Sequence, residues 1–485
     1  MKLVGPLCAI ALFVPACVSH SSAKDSEFVK EVLNSRSGGF RGTSETSSHN
    51  SRSLETPPME TREDPEPEVQ KMTEGALTIE NAVRVALLNN RSLRATFQDL
   101  GIARGQLVQA DLFPNLEIEA QVRFPQEQGR TAQYDFGVGV DLTNIVLRGK
   151  RQGIAVAELD AVRLRTAGAA LDLGYRVRLA YFEVQAMQQL LDVAKTSMRA
   201  FDASFETAKE LSRVGNIPDL DLVTDQSSLE GARLQVAEIE VELVDARERL
   251  NVLLGYFGEQ TTWTIEGRLP DVTGKLPPAE KLETRAIDAS LELAETRKVL
   301  LASLRRVGLA ETAGWLPDLT LGVHAERDGT TWEFGPALSG KLPFFDRQQG
   351  NVISRQAEVA ALRESYVAES VRLRAAVRAA RARLESTEAR SKQYRDVLLP
   401  LRERVVRETV LQYNAMQVGV FQVLQALRDQ LDAGRSYVGT LHEYWRARAA
   451  MDQLLAGRLA GTLADPEGVR RSPLFGSKSS ERRGH

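Results

Sequence analysis

Cysteine is nearly absent. The 485 residues contain two, which excludes a disulfide framework and a four-cysteine metal site. Histidine is scarce too, and His20, His49, His324, His442 and His485 are scattered at no ligand spacing. There is no HExxH, no CxxC and no phosphate loop; Gly149-Lys150 lacks the glycine pattern and hydroxyl follower of a nucleotide site. A dominant charge is missing as well. The 62 basic residues stand against 65 acidic ones, a formal charge of -3, so no nucleic-acid partner is expected. These absences exclude an enzyme, and neither a cofactor nor a resident metal is expected. A transported ion would need no tight site, because such a site would retain it.

Both cysteines lie in the opening stretch MKLVGPLCAIALFVPACVSH. Lys2 precedes an apolar run from Leu3 to Ala16, too short to span a bilayer but built as a secretory signal peptide, residues 1–16. Val14-Pro15-Ala16-Cys17 resembles a bacterial lipobox, in which Cys17 is lipidated and becomes the mature N-terminus. Pro15 departs from that pattern, and the alternative is cleavage near Ala16 without a lipid. Val18 after the cysteine resembles outer-membrane sorting in a diderm bacterium. Residues 17–75 then form a polar linker rich in Ser, Glu, Arg and Pro. With almost no apolar periodicity, the linker is expected to be a tether or a strap on another surface.

The most informative stretch is Trp315–Arg347. Leu319, Leu321, Val323 and Ala325 alternate with Thr320, Gly322, His324 and Glu326; Trp332, Phe334, Pro336 and Leu338 alternate with Glu333, Gly335, Ala337 and Ser339. A period of two marks strands with one apolar and one polar face. The link Arg327-Asp328-Gly329-Thr330-Thr331 has turn chemistry, so strands at about 319–326 and 332–340 form a hairpin. A second hairpin is predicted earlier. Strands at about 116–124 and 134–142 set Leu116, Ile118, Ala120, Val122 and Phe124 against Glu117, Glu119, Gln121 and Arg123. They also set Phe136, Val138, Val140 and Leu142 against Gly137, Gly139 and Asp141.

Helical patterns flank both hairpins. Thr78 caps a helix expected to reach Asp111; a second runs from about Lys150 to Val214, roughly 95 Å at 1.5 Å per residue. No ordinary globular helix is that long, so a coiled coil or a bundle strut is implied. Gly215-Asn216-Ile217-Pro218 breaks it and a helix returns to Leu254. After a connector, residues 261–281, the order recurs: a helix near Leu282–Thr312, the second hairpin, a long helix from Gln348 to Gln417, a break at Val418-Gly419-Val420 and a return to Leu459. The two units, residues 76–260 and 282–460, match at an offset near 200, with Val214-Gly215 set opposite Val418-Gly419. The tail 461–485 is charged and expected to be disordered.

One chain thus offers four strands long enough to cross a bilayer at a tilt. Four strands cannot enclose a lumen, and an open edge in lipid is prohibitively costly. Closure must come from copies: three give twelve strands, whereas two give eight, an interior that side chains would largely fill. The competing reading is a soluble helical bundle with hairpins packed on it.

LTIENAVRVALLNNRSLRA, AGWLPDLTLGV, FGPALSGKLPFFDRQQGN and YNAMQVGVFQVLQALRDQLDAGRSYVGTLHEYWRARAAMDQL occur in that order. Over residues 76–460 this set resembles the TolC-like outer-membrane efflux proteins, especially their heavy-metal and cation branch. The resemblance implies a mixed α/β membrane protein with an internal two-fold repeat. It implies a homotrimer whose 12-stranded outer-membrane β-barrel continues into a long periplasmic α-helical barrel. It also implies a passive conduit that receives cargo from an inner-membrane pump through a periplasmic adaptor, with outer-membrane lipid around the strands. Divalent cations are the expected cargo; organic compounds or a secreted polypeptide are the alternative, and a periplasmic structural lipoprotein without a pore is a further one.

Two groups of residues are candidates for function. Glu117, Glu119, Gln121, Arg123, Asp141, His324, Glu326 and Glu333 line the lumen if the apolar faces meet lipid, and an acidic wall would favour cations; the alternative is a generic wetted wall. At the helix breaks, Gly215, Asn216, Asp219, Asp221, Val418, Gly419, Val420 and Gln422 are candidates for the periplasmic aperture and, by the resemblance, for adaptor contact. The alternative is that Asp219 caps the returning helix, with Asp221 bonded locally. Phe344 and Phe345 are expected at the inner membrane interface, and Arg347 as a helix-terminal salt-bridge partner.

Overall fold

A computed structural model describes residues 23–36, 75–124, 132–265, 267–272, 276–278, 280–328 and 331–460. The signal peptide, Cys17, most of the polar linker and the tail 461–485 lie outside the described residues.

The chain builds one unit twice. The first consists of α2 (Ile79–Asn89), α3 (Arg91–Asp111), β2 (Glu117–Arg123), β3 (Gln133–Asp141), α4 (Leu142–Arg213) and α5 (Asp219–Leu254). The second consists of α6 (Leu282–Ala289), α7 (Leu291–Trp315), β5 (Asp318–Asp328), β6 (Thr331–Lys341), α8 (Gln349–Gln393), a π-turn (Tyr394–Leu398), α9 (Leu399–Asn414) and α10 (Val420–Leu455). The return helices α5 and α10 are each 36 residues long. Two short strands, β1 (Ala76–Leu77) and β4 (Thr264–Ile265), pair in parallel and tie the start of the first unit to the connector.

The opening helix of each unit is broken where one continuous helix was expected. Asn90 ends α2 and caps α3, its Oδ1 accepting from Leu93 N at 2.9 Å; Ser290 separates α6 from α7 and accepts from Leu293 N at 3.2 Å. A polar side chain that satisfies the orphan amides of a new helix favours a break over continuation. Both breaks dock on the end of a return helix. Asn89 Nδ2 donates to Leu254 O and Asn90 Nδ2 to Leu253 O, at 3.0 and 2.9 Å, while Leu291 N donates to Gly457 O at 2.9 Å.

The linker also departs from expectation. Residues 23–36 form α1, a helix whose Val29 is fully buried against Leu100, Ala167, Leu171 and Leu291. Arg36 at its end donates to the carbonyls of Ala289 and Ala456. Burying one valine is worth roughly 1.5–3 kcal/mol, so a short helix can dock where the composition of the whole segment argued against packing.

The main core lies midway along the long helices, where α2, α4, α5, α6, α8 and α10 meet the connector. Tyr181 OH donates to Leu77 O at 2.8 Å and Trp263 Nε1 to Asn251 Oδ1 at 2.7 Å, so these two buried donors are satisfied. α4 runs unbroken for 72 residues, about 108 Å. No helix among the described residues is long and apolar enough to cross a membrane.

The four long strands form a separate antiparallel sheet in the order β2-β3-β5-β6. They are joined to the helices at a tight corner: Thr143 Oγ1 donates to Pro317 O at 2.6 Å and accepts from Leu319 N at 2.9 Å. The sheet has no core within the chain. Ile118, Val138, Val323, Phe334 and Leu338 are exposed.

Candidate functional site

The strand register sorts the polar face into rows. Gln121, Asp135, Glu326 and Glu333 lie opposite one another across the four strands; Glu119, Gly137, His324 and Gly335 form the next row, and Glu117, Gly139, Gly322 and Ala337 the third. Glu326 directly faces Glu333. Like charges set opposite cost stability, a cost that water and counter-ions in front of the sheet reduce. Asp135 is the centre of the charged row. Arg123 Nη2 lies 3.1 Å from its Oδ2 and His324 Nε2 lies 2.7 Å from its Oδ1, the latter without hydrogen-bond alignment. The third row is small for a steric reason: a Cβ on Gly322 would collide with the Val138 carbonyl.

Two residues differ from expectation. Asp135 lies inside the strand expected at 134–142 but is absent from the candidates, because the polar face of that strand was counted only from Gly137; the Asp135–Gly137–Gly139 alternation is the available signal. Asp141 stands at the inner end of β3, where its Oδ1 accepts from Asn144 N at 2.8 Å and caps α4. Its carboxylate is occupied by the corner between strand and helix.

The opposite face of the sheet is apolar with aromatic residues at both ends. At one end Phe136 stacks on Trp332 and Trp332 on Phe334, with centroids 6.2 and 6.1 Å apart, and Arg327 lies over Tyr134 and Trp332. At the other end Arg148 covers Phe113 at 4.2 Å and Arg347 covers Trp315 at 4.6 Å, while Phe345 is 95% exposed. Arg347 therefore stacks on an aromatic ring in place of a helix-terminal salt bridge. The 11 residues of β5 separate these zones by about 33 Å along the strand, or roughly 25 Å at a 40° tilt. That is the height of an outer-membrane apolar band between its aromatic girdles.

The helix tips are the second candidate site. Gly215 takes the left-handed conformation in the first turn, with φ 75°, and Met416 takes it in the second, with φ 59°. The structural counterpart of Gly215 is thus Met416, three residues before the Val418-Gly419 pairing suggested by sequence; Gly419 instead caps α10, as Pro218 caps α5. Asp219 is exposed and makes no cap, since the cap position is Pro218 with no side-chain bond. Asp221 N donates to Pro218 O at 3.1 Å and Gln422 N to Gly419 O at 3.3 Å. Asn216 N bonds back to Leu211 O at 2.9 Å.

Inside the tips is a buried carboxylate that sequence reading passed over. Asp225 is 3% exposed, accepts from Ser204 Oγ at 2.9 Å, and lies 4.0 Å from Arg428 of α10. Arg428 Nη2 donates to Ser228 Oγ at 2.8 Å and the guanidinium lies over Phe201 at 4.9 Å. This contact ties the first unit's distal hairpin to the second unit's return helix. The signal was a carboxylate on the buried stripe Asp225, Leu229, Ala232, Val236.

The outer membrane efflux protein family matches residues 82–256. The cobalt-zinc-cadmium resistance protein CzcC of Cupriavidus metallidurans is 27% identical over 386 residues, covering 79% of this chain and 90% of CzcC. The crystal structure of CusC superposes with a TM-score of 0.67 at 18% identity, covering 78% of this chain and 92% of that one. In sequence and in fold the chain is similar to the TolC-like outer membrane efflux proteins. The toluene efflux pump outer membrane protein TtgC of Pseudomonas putida is 24% identical over 296 residues, covering 55% of this chain and 60% of TtgC. The proteins this chain resembles are components of outer membrane efflux systems. Among its described residues no group of three or more His, Cys, Asp or Glu side chains could hold a metal ion.

Proposed function

We propose that three copies of this efflux protein close into a duct: a twelve-stranded barrel in the outer membrane above a helical tube in the periplasm. The observation that carries this reading is the sheet itself. Its edge strands β2 and β6 are unpaired and its apolar face is exposed, an arrangement that lipid tolerates only when the edges join. The helices repeat the argument. They adjoin in the order α5, α4, α10, α9, so α5 and α9 are the protomer's edges. Leu220, Val223, Leu234, Val241, Val244 and Val252 form an exposed stripe on α5, and Leu401, Val405 and Leu411 one on α9. A head-to-tail contact of these two edges closes a ring.

The acidic row of Asp135, Glu326 and Glu333, repeated three times around the lumen, makes the exit cation-favouring. With the likeness to a cobalt-zinc-cadmium resistance protein, this supports divalent cations as cargo. The cations arrive from an inner-membrane pump, of the resistance–nodulation–division type, through an adaptor that grips the Gly215–Asp221 and Val418–Gln422 tips. The Asp225–Arg428 contact holds those tips together until the adaptor docks. Cys17 carries the lipid that anchors the chain.

Conductance in planar bilayers and the metal tolerance of a deletion strain test this together. A cation-selective trimeric pore and lost zinc, cobalt or cadmium tolerance are expected. Intact metal tolerance with lost solvent or drug tolerance would move the cargo to organic compounds, and a non-conducting monomer would make the chain a structural lipoprotein.

A further inference from the structure

A cavity of about 310 Å³ opens between α2, α4, α10 and the connector. One wall is aromatic: Phe182 and Trp445 stack with centroids 5.1 Å apart, and Trp445 Nε1 is held by Pro270 O at 2.8 Å. The rest is charged, with both signs present. Arg448 and Asp452 satisfy each other, with Arg448 Nε donating to Asp452 at 3.4 Å, and Arg84 has a partner of its own. Two groups are left over. Arg178 is half-buried, donates no hydrogen bond and makes no ion pair among the described residues, its charge reaching Asp452 only from a distance. Glu80, exposed at the rim on the first turn of α2, has no protein partner among the described residues. The two line one cavity without forming an ion pair with each other.

A guanidinium half-withdrawn from water and left without an acceptor forfeits solvation with no return. A ligand carboxylate would restore it through a charge-assisted, bidentate contact. A simple anion would use Arg178 alone and leave Glu80 to water, and a simple cation would leave Arg178 unanswered. A molecule with a carboxylate and an ammonium on neighbouring atoms answers both, and its apolar stem can lie on the Phe182–Trp445 wall. We propose that this cavity binds an amino-acid zwitterion.

Its position narrows the source. Arg178 lies 36 residues into the helix from Leu142, roughly 54 Å below the base of the sheet. On the reading that the helices project into the periplasm, on which this location rests, that depth meets the cell wall, whose stem peptides end in free amino-acid groups. Free periplasmic amino acids carry the same chemistry. None of the helices around the cavity, α2, α4 and α10, is one of the edges α5 and α9 on which the trimer reading relies.

The test is calorimetric titration of the full detergent-purified protein with 2,6-diaminopimelate, pimelate and 1,5-diaminopentane. Saturable binding of the zwitterion is expected, with the dicarboxylate and the diamine each at least about tenfold weaker. Arg178→Gln and Glu80→Gln should each cost about tenfold or more, and Arg178→Lys should retain part of the affinity, with helical circular dichroism unchanged throughout. A stem tripeptide that binds more tightly than diaminopimelate points to the cell wall, and equal binding points to free amino acids. No saturable heat to about 10 mM, equal binding of pimelate, or an unaffected Arg178→Gln variant overturns the proposal. Conductance measured on the same preparation reports separately on the duct.

Discussion

The two halves of the chain share a plan but not a texture. α4 is one regular helix of 72 residues with 24 buried positions spread along it. Its counterpart in the second half is cut by the π-turn at Tyr394–Leu398, and beyond that turn α9 buries no residue within its own protomer. Pro400, at the second position of α9, removes another hydrogen bond from the ladder. One wall helix is therefore anchored by its own chain along its whole length. The other, beyond the core, rests on α10 through contacts such as Arg402–Asp429 at 2.8 Å and buries nothing of its own there.

A neighbouring copy is the simplest supplier of what α9 lacks, which gives the largest expected effect. Leu401→Glu with Val405→Glu places charges on the exposed α9 stripe. The trimer should be lost on native mass measurement while the monomer keeps its helical circular dichroism. An unchanged trimer would mean that α9 faces water, and the tube reading would fail with it.

The π-turn sharpens the comparison. A helix bends most easily where its ladder is already interrupted, so the second half should hold the moving part of the aperture. Deleting Val397 with Pro400→Ala restores a regular helix and should reduce open-channel events several-fold in bilayer recordings. Asp225→Asn acts in the opposite sense. It weakens the tie between halves at Arg428, so conductance without an adaptor should rise. If the straightened helix opens as often as the parent, bending takes place elsewhere.

The charged row gives an intermediate effect. Asp135→Asn, Glu326→Gln and Glu333→Gln together remove three carboxylates per chain from the exit, and the reversal potential in a salt gradient should move toward that of a non-selective pore. Trimer stability should not fall, because relief of the Glu326–Glu333 repulsion offsets the lost Asp135 contacts.

The sequence revealed what is periodic and local. Strict alternation placed all four strands to within one or two residues, and the repeated order of helix, hairpin and return helix emerged from it. It hid what is set by one polar residue in a periodic field. Asn90 and Ser290 look like surface positions in an amphipathic helix until their docking on Leu253, Leu254 and Gly457 shows them to be breaks. Asp135 stands inside an expected strand, one step before the two glycines from which its polar face was counted. The tip register slipped by three because glycine was expected in the left-handed site that Met416 occupies. The π-turn leaves the apolar period almost intact, and the pairing of Asp225 with Arg428 joins residues two hundred apart.

The smallest effect concerns Glu369 on α8, beside the junction of the halves. Burial holds its carboxyl above the ordinary range, opposed by a hydrogen bond from Thr296 at 3.0 Å and assisted by the charges of Glu292 and Glu295. A carboxyl with a raised folded pKa binds its proton more readily in the folded state. Stability from this group is therefore lowest at neutral pH, and rises as pH falls through the folded pKa toward the unfolded value near about 4.3. Glu369→Gln removes the charge and keeps the acceptor for Thr296, so the variant should melt about 1–2 °C higher at pH 7. That advantage should vanish as the wild-type group becomes protonated. Asp452 is raised by burial in the same direction, but it is common to both proteins, so the difference between their melting curves isolates Glu369. A gap that stays constant from pH 7 to pH 4.5 would show that the substitution acts through packing and not through charge.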